Sequence, residues 1–145
     1  MSLIRELALY ERAADAVVGT EELLHTALFG SEAAAEAVIA EVGGEPAGFA
    51  LFFRTFSTWL CLPGLWLEDL YVSPAHRRSG VGRALLTYLA QLAVKRGYGR
   101  VEWSVLHWNT PALDFYESIG ARQMEEWRVL RLTGAPLRAV AGRQP

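Results

Sequence analysis

The segment from Trp66 to Arg96 constrains the fold of this chain more than any other. Trp66 to Val72 is dense in apolar and aromatic residues and is stopped by Ser73-Pro74, which predicts a β-strand. From Arg83 onward, Leu85, Leu89 and Leu92 form a stripe at helical spacing, thickened by Leu86 and Ala93. Gly97 follows Lys95 and Arg96, the pattern of a helix C-terminus. Between strand and helix lies Arg77-Arg78-Ser79-Gly80-Val81-Gly82. Glycines at a helix start let the backbone approach a ligand closely, and successive N–H groups there form an anion-binding concavity. Strand, basic glycine turn and helix together predict a phosphate site.

Two familiar phosphate loops are excluded. A third glycine and a downstream ribose-binding acid are missing, so the turn is not a dinucleotide fingerprint. No Gly-Lys-Ser/Thr follows, so it is not a Walker loop. A pyrophosphate cradle of another kind remains, beside the plainer reading in which the glycines only make a turn.

Length and composition narrow the class. A chain of 145 residues is the size of one domain, and a hydrophobic share of 52% suits a folded globule. The net charge of −2 gives no global basic field, so nucleic acid is not an expected partner. Lys95 is the sole lysine among the basic residues; the rest are arginines, whose planar forks suit phosphates and carboxylates. The single cysteine, Cys61, excludes an internal disulfide and is expected as a small, partly buried loop residue. Charges occupy the N-terminal Met-Ser-Leu-Ile-Arg-Glu-Leu, where a signal peptide needs an apolar core, and no run approaches a membrane span. A soluble, cytoplasmic protein with no membrane partner is expected.

The remaining elements follow in order. Leu3 to Glu11 reads as a short helix, and a second starts at Thr20, an N-cap followed by Glu21 and Glu22, and stops at Gly30. Val38–Val42 and Ala47–Phe56 flank the turn Gly43-Gly44-Glu45-Pro46 as a hairpin. Ser57 to Leu65 reads as a loop. Arg100 to Leu106 alternates as a strand, and the helix before it predicts parallel pairing with Trp66–Val72. Thr110-Pro111 opens a third helix and Gly120 closes it. Trp127 to Leu132 is predicted as a final strand. One domain over residues 1–133 and a loose tail over 134–145 are expected.

Glu68 and Asp69 are adjacent on the central strand, so regular alternation would send them to opposite faces. A strand covered on both faces would bury at least one of them, and a buried carboxylate needs a reason. An amine with a pKa near ~10 arrives protonated and must lose a proton before it can act as a nucleophile. A carboxylate working through water can take it. His25, His76 and His107 lack metal-ligand spacing, so no metal is assigned.

The second motif is Trp108-Asn109-Thr110-Pro111-Ala112-Leu113-Asp114-Phe115-Tyr116-Glu117-Ser118-Ile119-Gly120-Ala121. A Leu-Glu-Asp-Leu-Tyr-Val strand, an Arg-x-x-Gly-x-Gly turn and then this run resemble the GNAT superfamily of acetyl-CoA-dependent N-acetyltransferases. Within it the diamine (spermidine/spermine) and thialysine acetyltransferases are most alike, and the resemblance covers Leu3 to Leu132. It implies a mixed, largely antiparallel α/β sheet with splayed central strands and helices on both faces. The chain starts inside what should be the family's first helix, so either the start codon is assigned late or the sheet lacks the family's first strand.

The resemblance also implies roles. Main-chain amides of Arg77, Arg78, Ser79, Gly80, Val81 and Gly82 would hold the pyrophosphate of acetyl-CoA. Leu70, Tyr71 and Val72 would lie along its pantetheine arm by backbone contact, one amide polarising the thioester carbonyl. Asn109 would contact the same arm; it also suits a helix N-cap, and both can hold. Tyr116 would be the general acid, its alternative being an aromatic packed with Phe115. Glu68 would be the base. Asp69 would be an ion-pair partner for an arginine or a contact for the far ammonium of a polyamine. Trp59 and Trp127, with Glu125-Glu126, are candidates for the rim of an amine pocket, a solvated turn being the alternative. The implied reaction is acetyl transfer to a primary amine of a small molecule in a ternary complex, by a homodimer. Ser57-Thr58-Trp59 stands where the eukaryotic polyamine enzymes carry an Asp. The alternative function is an acyl-CoA-binding sensor without transferase activity.

Overall fold

The computed structural model describes residues 1–142. The elements run α1 (Ser2–Tyr10), α2 (Glu21–Phe29), β1 (Glu36–Val42), β2 (Glu45–Ser57), β3 (Leu62–Val72), α3 (Val81–Lys95), β4 (Val101–Trp103), α4 (Thr110–Ser118) and α5 (Gly134–Ala141), with single 3-10 turns at Ala14–Ala16 and Pro74–His76. They fall into two compact units, Met1–Ser104 and the residues from Val105 onward.

The first unit holds a sheet in the order β1-β2-β3-β4. β1–β2 and β2–β3 pair antiparallel, and β3–β4 pair parallel, as the intervening helix predicts. Gly43 and Gly44, both left-handed at φ +63 and +86, make the tight β1–β2 turn. Thr20 caps α2 as expected, its hydroxyl accepting from the Leu23 amide at 3.3 Å.

Helices cover both faces of this sheet. Phe49, Leu51 and Tyr71 on one face meet Leu3, Ile4, Leu7 and Tyr10 of α1. Gly48 lies on the other face, and a Cβ there would sit 3.4 Å from Val81 of α3. Ala50 and Phe52 share that second face by strand alternation, and Leu67 shares it by pairing with Phe52. Phe52, Leu67, Leu85 and Leu89 are at most 4% exposed, so this is the deeper core. Burying each such side chain contributes about 1.5–3 kcal/mol. Arg96 at the end of α3 reaches Glu36 of the edge strand β1 through both carboxylate oxygens, at 2.5 and 2.7 Å.

Several sequence expectations need correction. β3 begins at Leu62, so the predicted 57–65 loop shrinks to the turn after Ser57. Cys61 is exposed in that turn at φ +51, its thiol donating to the Thr58 carbonyl. β4 covers only Val101–Trp103 of the predicted 100–106 strand. Its last pair is Leu67↔Trp103, and β3 leaves regular pairing at the next residue. In the second unit, Trp127–Leu132 forms no ladder among the described residues. Its apolar residues suit a strand, yet Val129 and Leu130 break the alternation, and a strand also needs a hydrogen-bonded neighbour. Gly134–Ala141, expected as loose tail, is helical, in an Ala-rich run with Pro136 in the first turn. The end of that expected tail, 143–145, lies outside the described residues.

Candidate active site

The site in the first unit is built on an irregularity in β3. Phe52 pairs with Leu67 and Leu51 with Asp69, so Glu68 is an extra residue, a β-bulge. The bulge changes which face each side chain takes. Leu65 and Leu67 lie on the α3 side, whereas Asp69 and Tyr71 lie on the α1 side with their partners Leu51 and Phe49. The simple alternation expected of Glu68 and Asp69 therefore fails at this pair.

The same irregularity opens the sheet. β3 pairs with β4 only over Leu65–Leu67, while β2 pairs with β3 as far as Val72. From Glu68 to Val72 one main-chain edge of β3 is without a strand partner among the described residues. Leu70, Tyr71 and Val72 lie on this uncovered stretch of β3.

The turn that follows is a nest of amides. Arg78 and Gly80 are both left-handed, at φ +61 and +91. Gly80 is the N-cap of α3 and has no side chain with which to cap it. Among the described residues, the amides of Arg78, Ser79, Gly80, Val81 and Gly82 donate to no main-chain carbonyl. A Cβ on Gly82 would meet only Val72, at an ordinary 3.6 Å, so packing within the protein does not demand glycine there. A glycine there leaves room for another group to approach the backbone closely. The Ser79 hydroxyl is turned inward to the His76 carbonyl. The Arg77 guanidinium also turns back, Nε donating to the Val72 carbonyl at 3.2 Å. The side chains of Arg77 and Ser79 thus brace the turn, and the main-chain amides from Arg78 to Gly82 have no main-chain partner among the described residues.

The two carboxylates differ. Glu68 is exposed and accepts a 2.8 Å hydrogen bond from Trp66 Nε1. Asp69 is half-buried, and burial pushes its carboxyl up to about 6, helped by the charges of Glu68 and Glu11. The charges acting on Asp69 are carboxylates, not the arginine expected as one option. Burial also pushes the Glu11 carboxyl up. Sequence reasoning missed Trp66 and Glu11. The Trp-x-Glu spacing on a strand was the available signal for the first; nothing local pointed to the second.

A stability consequence follows for Asp69. Its folded-state value lies above the ordinary 3.8, so the protonated form favours folding and ionisation opposes it. Stability from this group is whole below pH ~4 and is lost as pH rises through 6. The full shift is worth about 3 kcal/mol, and about 1–2 kcal/mol once solvent screening is allowed for. Asp69→Asn is expected to stabilise the protein by that smaller amount at pH 8 and to bring no gain at pH 4. Urea unfolding at both pH values checks this.

In the second unit, α4 carries the other motif. Asn109 occupies its N-cap position, with its carbonyl accepting from the Ala112 and Leu113 amides at 3.1 Å; its side chain makes no capping bond. Tyr116 is half-buried, its ring 5.4 Å from that of Phe115 and tilted by 50°. Gly120, left-handed at φ +90, ends the helix. Trp127 is exposed in this unit, and Trp59 is exposed in the β2–β3 turn of the first. That turn lies beyond Leu62, roughly 20 Å along the strand from Glu68. Trp59 and Glu68 are not brought together. Among the described residues no group of three or more His, Cys, Asp or Glu could hold a metal ion, and no helix is long and apolar enough to cross a membrane.

Comparison with known proteins identifies a family. Residues 5–121 match the Acetyltransferase (GNAT) family, running through both units. A thialysine N-epsilon-acetyltransferase of Caenorhabditis elegans is 38% identical over 144 residues, covering 97% of this chain and 88% of that protein. L-ornithine N5-acetyltransferase NATA1 of Arabidopsis thaliana is 48% identical over 94 residues, 65% of this chain; the match spans only 41% of the plant protein. Among solved structures, an integron cassette protein from the mobile metagenome of V. cholerae superposes with a TM-score of 0.81 at 26% identity, covering 98% of this chain and 89% of that one.

Proposed function

Since this chain belongs to the GNAT family and is an N-acetyltransferase, we propose that it acetylates the primary amine at the end of a short carbon chain, as in thialysine, ornithine or a polyamine. Family members use acetyl-CoA as co-substrate, which supplies an acyl group already activated as a thioester. The observation that carries the reading is the row of unsatisfied amides from Arg78 to Gly82, set directly after the open edge of β3. Convergent N–H groups at a helix start suit a diphosphate. An unpaired strand edge suits an extended amide-bearing arm, which can add to it as another strand would.

The residues divide the work as follows. Amides of the turn hold the diphosphate, and the backbone of Leu70 to Val72 holds the arm. A main-chain amide of β3 polarises the thioester carbonyl. Glu68 takes the proton of the incoming ammonium through water, with Trp66 fixing its carboxylate. Asp69, with only carboxylates acting on it, faces the acceptor's second ammonium. Tyr116 gives a proton to the leaving sulfur, and Asn109 contacts the arm. Because attack is direct, orientation of two ligands is the main contribution asked of the protein. Residues 1–133 serve as one catalytic domain.

The test is release of free thiol from acetyl-CoA with thialysine, ornithine, lysine, putrescine and spermidine in turn. Turnover with at least one terminal amine is expected. Tight acetyl-CoA binding with no turnover on any amine would instead establish an acyl-CoA-binding sensor.

A further inference from the structure

The phosphate turn is held from a distance. Arg77 Cζ lies 4.5 Å from the centre of the Tyr10 ring and 5.9 Å from that of Tyr71. Tyr71, only 5% exposed, donates its hydroxyl to Glu6 Oε2 at 3.2 Å. Glu6 and Tyr10 are one helical turn apart on α1, so a single face of that helix grips both the turn and the end of β3. Arg77 closes the loop through its bond to the Val72 carbonyl. Such bracing has a purpose in the residues it precedes. Left-handed backbone at Arg78, which is not glycine, is unfavourable and persists only where the surroundings fix it.

We propose that Tyr10 of α1 is a positioning residue for acetyl-CoA: by stacking on Arg77 it keeps the 78–82 amides convergent, and so sets affinity for the diphosphate without touching it. This rests on the reading of the turn as the diphosphate site. Arg77, despite its charge, acts in the same way, its guanidinium being engaged with Val72 and two aromatic rings. Cation–π contacts of this kind at a partly exposed site correspond to roughly a three- to tenfold change in a dissociation constant.

Calorimetry on the full chain tests the proposal with two probes, acetyl-CoA and S-acetylpantetheine, which lacks the diphosphate. Tyr10→Leu and Arg77→Met should each weaken acetyl-CoA binding about three- to tenfold, and the double variant should be little worse than either. Tyr10→Phe keeps the ring that stacks on Arg77 and should bind acetyl-CoA more tightly than Tyr10→Leu. Neither Tyr10 variant should change binding of S-acetylpantetheine, which separates positioning of the turn from a general loss of folding. Effects of the two substitutions that simply add, or loss at Arg77 with none at Tyr10, would make Arg77 a direct phosphate ligand and overturn the proposal. A distinct result would undo the underlying reading: equal affinity of the unaltered protein for both probes.

Discussion

Tyr116→Phe is expected to lower kcat for acetyl transfer about a hundredfold or more while leaving the acetyl-CoA dissociation constant unchanged. The substitution removes one hydroxyl from a half-buried ring on α4 and keeps the contact with Phe115. Helix propensities of the two residues are nearly equal, so α4 should keep its helical backbone. What is lost is a proton donor. A phenol ordinarily titrates near 10 and keeps its proton at neutral pH, yet is acidic enough to give it to a departing thiolate. General acid catalysis of this kind contributes about 10²–10⁴-fold. Thiol release gives kcat and calorimetry gives the binding constant. Turnover equal to that of the unaltered protein would take the acid's role from Tyr116 and return it to the alternative, an aromatic that only packs.

Those residues could be singled out because their signals are local. The α3 stripe and the Arg77–Gly82 turn lie within one strand–turn–helix unit, and helix periodicity needs no knowledge of distant partners. Thr20 and Gly120 marked helix ends for the same reason. The bulge at Glu68 was hidden, because it exists only in the pairing of Phe52 with Leu67 and Leu51 with Asp69. Without it, Asp69 would follow Leu67 onto the α3 face; with it, Asp69 meets the surroundings of α1. Trp127–Leu132 shows the converse failure, an apolar run of strand length that forms no ladder among the described residues. The stacking of Arg77 on Tyr10 joins residues far apart in sequence, and no spacing rule reaches that far.

The bulge also sharpens the question of the base, since it separates two adjacent carboxylates by environment. Glu68→Gln is expected to lower kcat/KM about a hundredfold at pH 7, within the range of general base catalysis. Glutamine preserves the size of the side chain and can still accept from Trp66 Nε1 through its amide oxygen, so the bulge should keep its shape. The informative readout is the pH dependence. An acceptor amine with a pKa near ~10 is almost wholly protonated at pH 7, and its free fraction grows about tenfold per pH unit. Without a carboxylate to take the proton, the rate should follow that fraction, rising about tenfold per unit from pH 7 to 9. The unaltered protein should rise less steeply, so the two profiles converge as pH increases. Asp69→Asn gives the control: placed to meet the acceptor's second ammonium, it should raise KM for a diamine and leave the slope alone. If Glu68→Gln only displaced the profile downward, parallel to the original, proton removal would belong to another group. Were Asp69→Asn the variant that steepened it, the half-buried carboxylate would be that group, its value of about 6 close to the working pH.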